Sequence, residues 1–157
     1  MGIVRIIEAP EKYDAKENEI KIFLAGTIDN GDSENWQKEI CDYAKTLEPS
    51  RDVVIFNPRR ENWNKTPDPE ELENQIVWEL ENLERCDWIF MNILGTSKSP
   101  ITLLEMGLFK NNPGLKVFCP PEFYRFDNVR VVCDRYKIKH YKEYTTEDIK
   151  KLLYMVV

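Results

Sequence analysis

The composition is that of a globular chain with an excess of acidic residues. Its 157 residues are enough for one domain, predicted to span 1–157, and the 42% apolar content is sufficient for a buried core. The net charge of −6 argues against nucleic acid polymers and anionic membranes as partners. No apolar run is long enough to span a bilayer, and the run near Met1 is too short for a secretory signal, so we expect a cytoplasmic protein.

The single histidine and the four cysteines limit the kinds of catalytic and metal site that we expect. His140 is the single histidine, which disfavours Ser-His-Asp and Cys-His catalysis and most zinc sites. The four cysteines form no C-x-x-C pair, and we expect them to be buried free thiols. We therefore expect neither a metal nor a cofactor.

The first half of the chain alternates predicted strands with a helix. The first eight residues can form an edge strand, and residues 20–26 are an apolar run ending in glycine, typical of a buried strand. A helix is predicted to begin at Ser33 as N-cap and to continue to Leu47. Residues 52–56 are the next buried strand.

The same alternation continues through the middle of the chain. Residues 69–85 predict a long helix with Pro69 in its first turn, followed by a strand at 87–93. The next helix is predicted to begin at Ser99 as N-cap, with Pro100 at its first position.

The last third predicts two more strands and a helix. The strands are assigned to 115–119 and 129–133, and the closing helix begins at Thr145 or Thr146. Apolar strands alternating with helices indicate a doubly wound α/β fold, with a parallel sheet of about five strands and helices on both faces. Ligands bind such sheets beyond the carboxyl ends of the strands. Those ends are 25–32, 57–60, 92–99 and 119–128.

Two glutamates are predicted to face the interior near this crevice. On a helical wheel Glu105 falls between Ile101 and Phe109, where an unpaired carboxylate is costly. Glu79 falls on the predicted buried stripe of the preceding helix, which comprises Leu72, Ile76, Leu80 and Leu83. Two carboxylates in one pocket suggest glycosyl chemistry, with one as nucleophile and the other moving protons. The alternative is that each is a paired structural acid, or that its inward position results from a misassigned helix boundary.

Five segments together resemble the nucleoside 2-deoxyribosyltransferase family. They are IFLAGTID (22–29), ENW (34–36), NPRR (57–60), WELENLERCDWIF (78–90) and SPITLLEMG (99–107). The resemblance covers roughly 20–135 and implies a flavodoxin-like fold and cleavage of an N-glycosidic bond. It implies that Glu105 is the nucleophile that attacks C1′. It also implies that Glu79, where the family usually has Asp, exchanges a proton with the base.

One position departs from the transferase pattern. Classical transferases carry Asp six residues before the nucleophile, whereas this chain has Ser99. The related nucleoside 5′-monophosphate N-glycosidases have Ser there and use it to bind phosphate. Lys98 adds a donor beside it, and a helix N-terminus favours anions. The alternative is that Ser99 only caps the helix.

Further binding residues are implied by the resemblance. Gly26 and Thr27 would border the sugar and base, although Asp29 and its neighbours make that turn acidic, which argues against phosphate on that side. Arg59 could bind an anionic group or pair with surface acids. Asn128 would complete the site of a neighbouring subunit, which implies a homo-oligomer.

The sequence leaves open the roles of two tryptophans and the choice among three functions. Trp63 and Trp78 could stack on a base, but packing is the usual role of such residues. The substrate is expected to be a small nucleoside or nucleotide. The candidate functions are a 2-deoxyribosyltransferase, a nucleoside 5′-monophosphate N-glycosidase and a nucleotide-binding module without turnover.

Overall fold

The computed structural model describes residues 1–142 and 146–157, which form a six-stranded parallel sheet with helices on both faces. Over these residues the strands are β1 Val4–Glu8, β2 Ile20–Gly26, β3 Val53–Asn57, β4 Trp88–Asn92, β5 Leu115–Phe118 and β6 Lys139–Tyr141. The helices are α1 Trp36–Ala44, α2 Pro69–Arg85, α3 Pro100–Leu108, α4 Phe126–Tyr136 and α5 Thr146–Val156. None of the described helices is long and apolar enough to cross a membrane.

The strand order β1-β3-β2-β4-β5-β6 is that of a flavodoxin-like fold with one extra edge strand. The predicted α/β class is confirmed, with six strands rather than about five. The two faces of the sheet bury separate cores, one under α1 and α5 and the other under α2, α3 and α4. Central strands are buried on both faces, which explains their continuous apolar sequences.

The predicted strand at 129–133 is wrong, because this segment lies within α4. Val129 and Cys133 are buried one helical turn apart, whereas Val131 between them is exposed. A short run of β-branched residues fits either structure, and only the contacts with the sheet decide between them. The last strand is instead β6, which follows α4.

The structure also tests two predicted helix starts, and it changes the first of them. The side chain of Asn35, not Ser33, caps α1 by accepting a hydrogen bond from the backbone N–H of Lys38. The hydroxyl of Ser33 donates to the carbonyl of Ile28 instead. Thr146 begins α5 as predicted, and the alternative start at Thr145 lies outside the described residues.

Candidate active site

The candidate site lies where the strand order reverses, between β2 and β4. The backbones approach closely there: a Cβ on Gly26 would lie 2.0 Å from the carbonyl oxygen of Asn92. Gly26 also has a φ of +129°, which other residues rarely adopt. The next residue, Thr27, donates its N–H to the same carbonyl at 2.9 Å. Doubly wound sheets bind ligands at such a reversal.

A chain of hydroxyl groups connects the ends of these two strands. The Oγ1 of Thr27 lies 2.6 Å from the Oγ of Ser99, which lies 2.8 Å from the Oγ of Ser97. Ser97 donates to Oδ1 of Asp29 at 2.6 Å. Thr27, Ser97 and Ser99 are buried, whereas Asp29, the last acceptor in this series of hydrogen bonds, is exposed. We call these four residues the hydroxyl chain.

Ser99 occupies the N-cap position of α3, but its side chain does not cap the helix. Its hydroxyl forms hydrogen bonds within the hydroxyl chain instead. Its φ of +45° places the residue in the left-handed region. Asp29 has a similar φ of +52°. Strained non-glycine residues of this kind are concentrated at functional sites. Lys98, next to Ser99, is exposed.

Glu105 lies on the face of α3 that packs on the molecule, and its side chain is only 7% exposed. Among the described residues no group donates a hydrogen bond to its carboxyl and no cation pairs with it. Burial, together with the negative charge of Glu79, raises the pKa of Glu105 to about 8. A carboxyl without a hydrogen-bond donor in an apolar site is costly for folding and is therefore a candidate for function.

Glu79 is half-buried on α2. The helix is rotated relative to the stripe predicted from the sequence, so Gln75, Trp78, Asn82 and Leu83 are buried. Leu72 and Ile76, predicted to be buried, are 49% and 47% exposed. Burial raises the pKa of Glu79 to about 7, against the opposing effects of a hydrogen bond from Gln75 and the charge of Arg60.

The environment of Glu79 includes a short relay of polar side chains. Arg60 donates from Nε to Oε1 of Gln75 at 2.9 Å, and Gln75 donates from Nε2 to Oε2 of Glu79 at 3.3 Å. The amide nitrogen of Gln75 also donates to the carbonyl of Pro58. Gln75 was not among the predicted site residues. The signal for Gln75 was its position four residues before Glu79, on the same helix face.

Arg59 is buried and binds the loop that follows β2. Its terminal nitrogens donate to the carbonyls of Gly31, Ser33 and Glu34 and to the hydroxyl of Ser33. This geometry gives Arg59 a structural role in holding the loop that carries Asp29.

Three further residues considered in the sequence, an asparagine and two tryptophans, have different surroundings. Asn128 is exposed in the first turn of α4. Trp78 packs against Phe23 and Phe56 and donates to the carbonyl of Glu11, which is a core role. Trp63 donates to Oδ1 of Asn30 and lines a surface cleft.

Within residues 1–142 and 146–157, no group of three or more histidine, cysteine, aspartate or glutamate side chains is placed to hold a metal ion. The four cysteines are buried and free, and burial raises the pKa of each thiol.

One protein-family model matches more than half of the chain. The model of the family described as nucleoside 2-deoxyribosyltransferase like matches residues 19–123. The chain belongs to this family. The match includes β2 through β5 and therefore both carboxyls and the hydroxyl chain of this nucleoside 2-deoxyribosyltransferase-like protein. No curated protein matches the chain.

Proposed function

We propose that this protein cleaves the N-glycosidic bond of nucleosides or nucleotides, including 2′-deoxy forms, with Glu105 as nucleophile and Glu79 as the proton donor and acceptor. The observation that carries the proposal is the pair of carboxyls on α2 and α3, half-buried Glu79 and buried Glu105, beside the reversal of the strand order. Family membership supports a nucleoside-type substrate.

The first step forms a glycosyl-enzyme. An oxygen of the Glu105 carboxylate attacks C1′, and the bond between C1′ and the base nitrogen breaks with its electron pair going to the base. The proton on Glu79 passes to the departing base. The low exposure of Glu105 keeps water away from its carboxylate, which increases its reactivity toward C1′.

The second step releases the sugar. A second base or a water molecule attacks C1′, the bond to Glu105 breaks, and Glu79 accepts the proton of the attacking group. The transferase and hydrolase reactions therefore use the same two carboxyls and differ only in the acceptor.

The pair must hold one proton for the first step. Both carboxyls have pKa values raised by burial, so a singly protonated pair exists near neutral pH. Glu79 ionises first in the free protein, because Gln75 and Arg60 stabilise its charge and Glu105 has no such donors. We infer that the bound base, by accepting a hydrogen bond from Glu79, shifts the proton to Glu79 and leaves Glu105 ionised.

The other residues contribute to binding. Gly26 and Thr27 bring backbone close to the sugar, and Ser99 presents its oxygen from the start of α3. Lys98 is exposed beside them and can reach a bound ligand from solvent. Arg59 acts by holding the loop around Asp29.

We also propose that the protein is a homo-oligomer that associates through α2 and α3. Six apolar side chains on these helices are 42–60% exposed, which is typical of an interface. They are Leu72, Ile76, Val77, Ile101, Leu104 and Leu108. A partner subunit could then present its Asn128 to the site.

Incubation with a panel of nucleosides and their 5′-monophosphates, with and without a second base, tests the function. Base exchange supports the transferase, and free sugar or sugar phosphate supports the hydrolase. Binding without products in either condition would contradict a catalytic role and leave a nucleotide-binding module. For variants of Glu79, the matched control is Glu73→Gln. Glu73 is an exposed acid of the same helix, and its replacement should leave turnover unchanged.

A further inference from the structure

We propose that a resident water molecule inside the fold joins Gln37 of α1 to Asn92 of β4 and thereby fixes Thr27 at the edge of the candidate active site. The water site follows from the buried side chains alone. Its effect on turnover rests on the proposed function, in which Thr27 brings backbone close to the sugar.

Two buried side-chain amides have polar atoms without a partner. Asn92 is 1% exposed, and among the described residues neither its Nδ2 nor its Oδ1 has a hydrogen-bond partner. Gln37 is fully buried, and its Oε1 is unpartnered in the same part of the chain. Buried polar atoms of native proteins are almost always paired with protein groups or with ordered water, because an unpaired amide destabilises the folded state. These three atoms therefore indicate a partner that is not a protein group.

Both amides lie on the face of the sheet under α1 and α5. Phe90 belongs to the core on this side, and side chains alternate along a strand, so Asn92 faces the same side. Its neighbour in register on β2 is Gly26, which contributes no side chain there. Gln37 comes to this point from α1, since its Nε2 donates to the carbonyl of Thr27 at 3.4 Å. The N–H of Thr27 donates to the carbonyl of Asn92 at 2.9 Å, so both amide residues are bonded to Thr27.

The polar atoms that need partners match those of a water molecule. The carbonyl of Thr27 can only accept, so the nitrogen of the Gln37 amide faces Thr27 and the oxygen is left for another donor. A water molecule can donate to this oxygen and can donate to or accept from the Asn92 amide in either of its orientations. No charged side chain in the described part of the chain bonds to either amide, so a neutral molecule fits the site better than an ion.

The water supports Thr27 from the side opposite to the hydroxyl chain. Trp36 also donates to the carbonyl of Thr27, at 3.0 Å, whereas the hydroxyl of Thr27 lies 2.6 Å from that of Ser99. Thr27 therefore connects α1 with the start of α3, and a water between the two amides ties this connection to β4. Asn92 and Gln37 are then positioning residues, because they act on a substrate only through Thr27.

A double-mutant cycle with Asn92→Leu and Gln37→Met tests the water site. Each single variant removes one partner of the water and leaves the other amide unpaired, whereas the double variant leaves neither. In urea unfolding the double variant should lose less stability than the sum of the single losses. The difference should be about tenfold in the unfolding equilibrium constant, or about 1.4 kcal/mol. Additive effects, or single variants more stable than the wild type, would overturn the inference.

Asn82→Leu is the matched control for the cycle. The amide of Asn82 is also buried, but it donates to the carbonyl of Trp78 within α2, on the other face of the sheet. Its effect should therefore add to that of Gln37→Met.

A high-resolution crystal structure of the wild type decides the same point if a variant fails to fold. We expect an ordered water within hydrogen-bond distance of both amides. A direct hydrogen bond between Gln37 and Asn92, or a water bonded to only one of them, would overturn the inference.

Separate KM and kcat values for Asn92→Leu measure the effect on the site. Because Thr27 positions the sugar but transfers no proton, KM should rise by about tenfold, and the pH dependence of kcat should stay unchanged. An unchanged KM would exclude the positioning role while the proposed function stands. If the wild type cleaves no nucleoside, the proposed function fails, and hydrogen exchange at the Thr27 amide decides instead. Faster exchange in Asn92→Leu than in the wild type supports the inference, and equal exchange overturns it.

Discussion

The side-chain amide of Gln75 has its orientation decided by its neighbours, and that orientation makes it a donor to Glu79. Arg60 has only donors, so the amide oxygen of Gln75 must face it at 2.9 Å. The amide nitrogen then faces two acceptors, the carbonyl of Pro58 and the carboxyl of Glu79, the latter at 3.3 Å. A donor at this distance favours the charged form of Glu79 and holds one of its oxygens in place.

The first prediction concerns this contact. Gln75→Leu should raise the pKa of Glu79, because the donor to its charged form is lost. It should move the acidic limb of the kcat/KM profile to higher pH, because Glu79 ionises first in the free protein. We expect kcat to fall by about tenfold or more as Glu79 loses its fixed position. The measurements are the pH–rate profile and a ¹³C NMR titration of the glutamate carboxyls.

Asn82→Leu is the matched control for this change. Asn82 is a second buried amide of α2, and it donates to the carbonyl of Trp78 rather than to a carboxyl. Loss of this amide should lower stability without moving the titration of Glu79. An equal shift of the titration in both variants would show that Gln75 acts only through the packing of α2.

The second prediction concerns Glu105. Glu105→Gln should abolish turnover and leave the protein folded. The pKa of Glu105 is about 8 in the folded state against an ordinary 4.5, so folded protein binds more protons than unfolded chain between these values. This contribution to stability is complete below pH 4.5 and is lost as pH rises through 8. The glutamine variant should therefore be more stable than wild type at pH 9, by roughly 1–3 kcal/mol.

Urea unfolding of both proteins at pH 5 and pH 9 measures this difference. At pH 5 the wild-type side chain is protonated, so the two proteins should be nearly equal. Turnover by purified Glu105→Gln at the wild-type rate would exclude Glu105 as the nucleophile. Equal stabilities at pH 9 would show that its carboxyl ionises without cost.

The third prediction concerns proton transfer by Glu79. Glu79→Gln should reduce turnover by roughly 10²–10⁴-fold, because the amide cannot give a proton to the departing base. The alkaline limb, which reports loss of the shared proton, should disappear. The single remaining ionisation, that of Glu105, should lie at lower pH than the alkaline limb of the wild type, because the negative charge that raises the pKa of Glu105 is removed. An unchanged profile would reduce Glu79 to a structural acid.

The fourth prediction concerns association. Leu104 is 59% exposed on α3, and Leu104→Glu should place a charge in the proposed interface and shift the protein toward monomer. Light scattering after size-exclusion chromatography measures the mass of both proteins. The control is Met155→Glu, since Met155 is 78% exposed on α5, across the sheet from α2 and α3. A monomeric wild type, or an unchanged mass in Leu104→Glu, would contradict the interface.

Local patterns in the sequence were sufficient for the fold class and for the inward position of Glu105. Continuous apolar strands can be buried only when both faces of a sheet are covered, and this burial requires the alternating helices. Glu105 stood out because no cation lies one turn away on its helix. The run at 129–133 could not be assigned in this way, because its apolar residues satisfy a strand and a buried helix equally well.

Only the tertiary structure decided what the polar side chains contact. Ser99 and Thr27 are 72 residues apart, yet their hydroxyls lie within 2.6 Å because adjacent parallel strands bring their carboxyl ends together. The rotation of α2, which exposes Leu72 and Ile76 and turns Gln75 inward, depends on how the helix packs on the sheet. Hydrogen bonds between distant segments have no local sequence signature, because their geometry exists only after the sheet has formed.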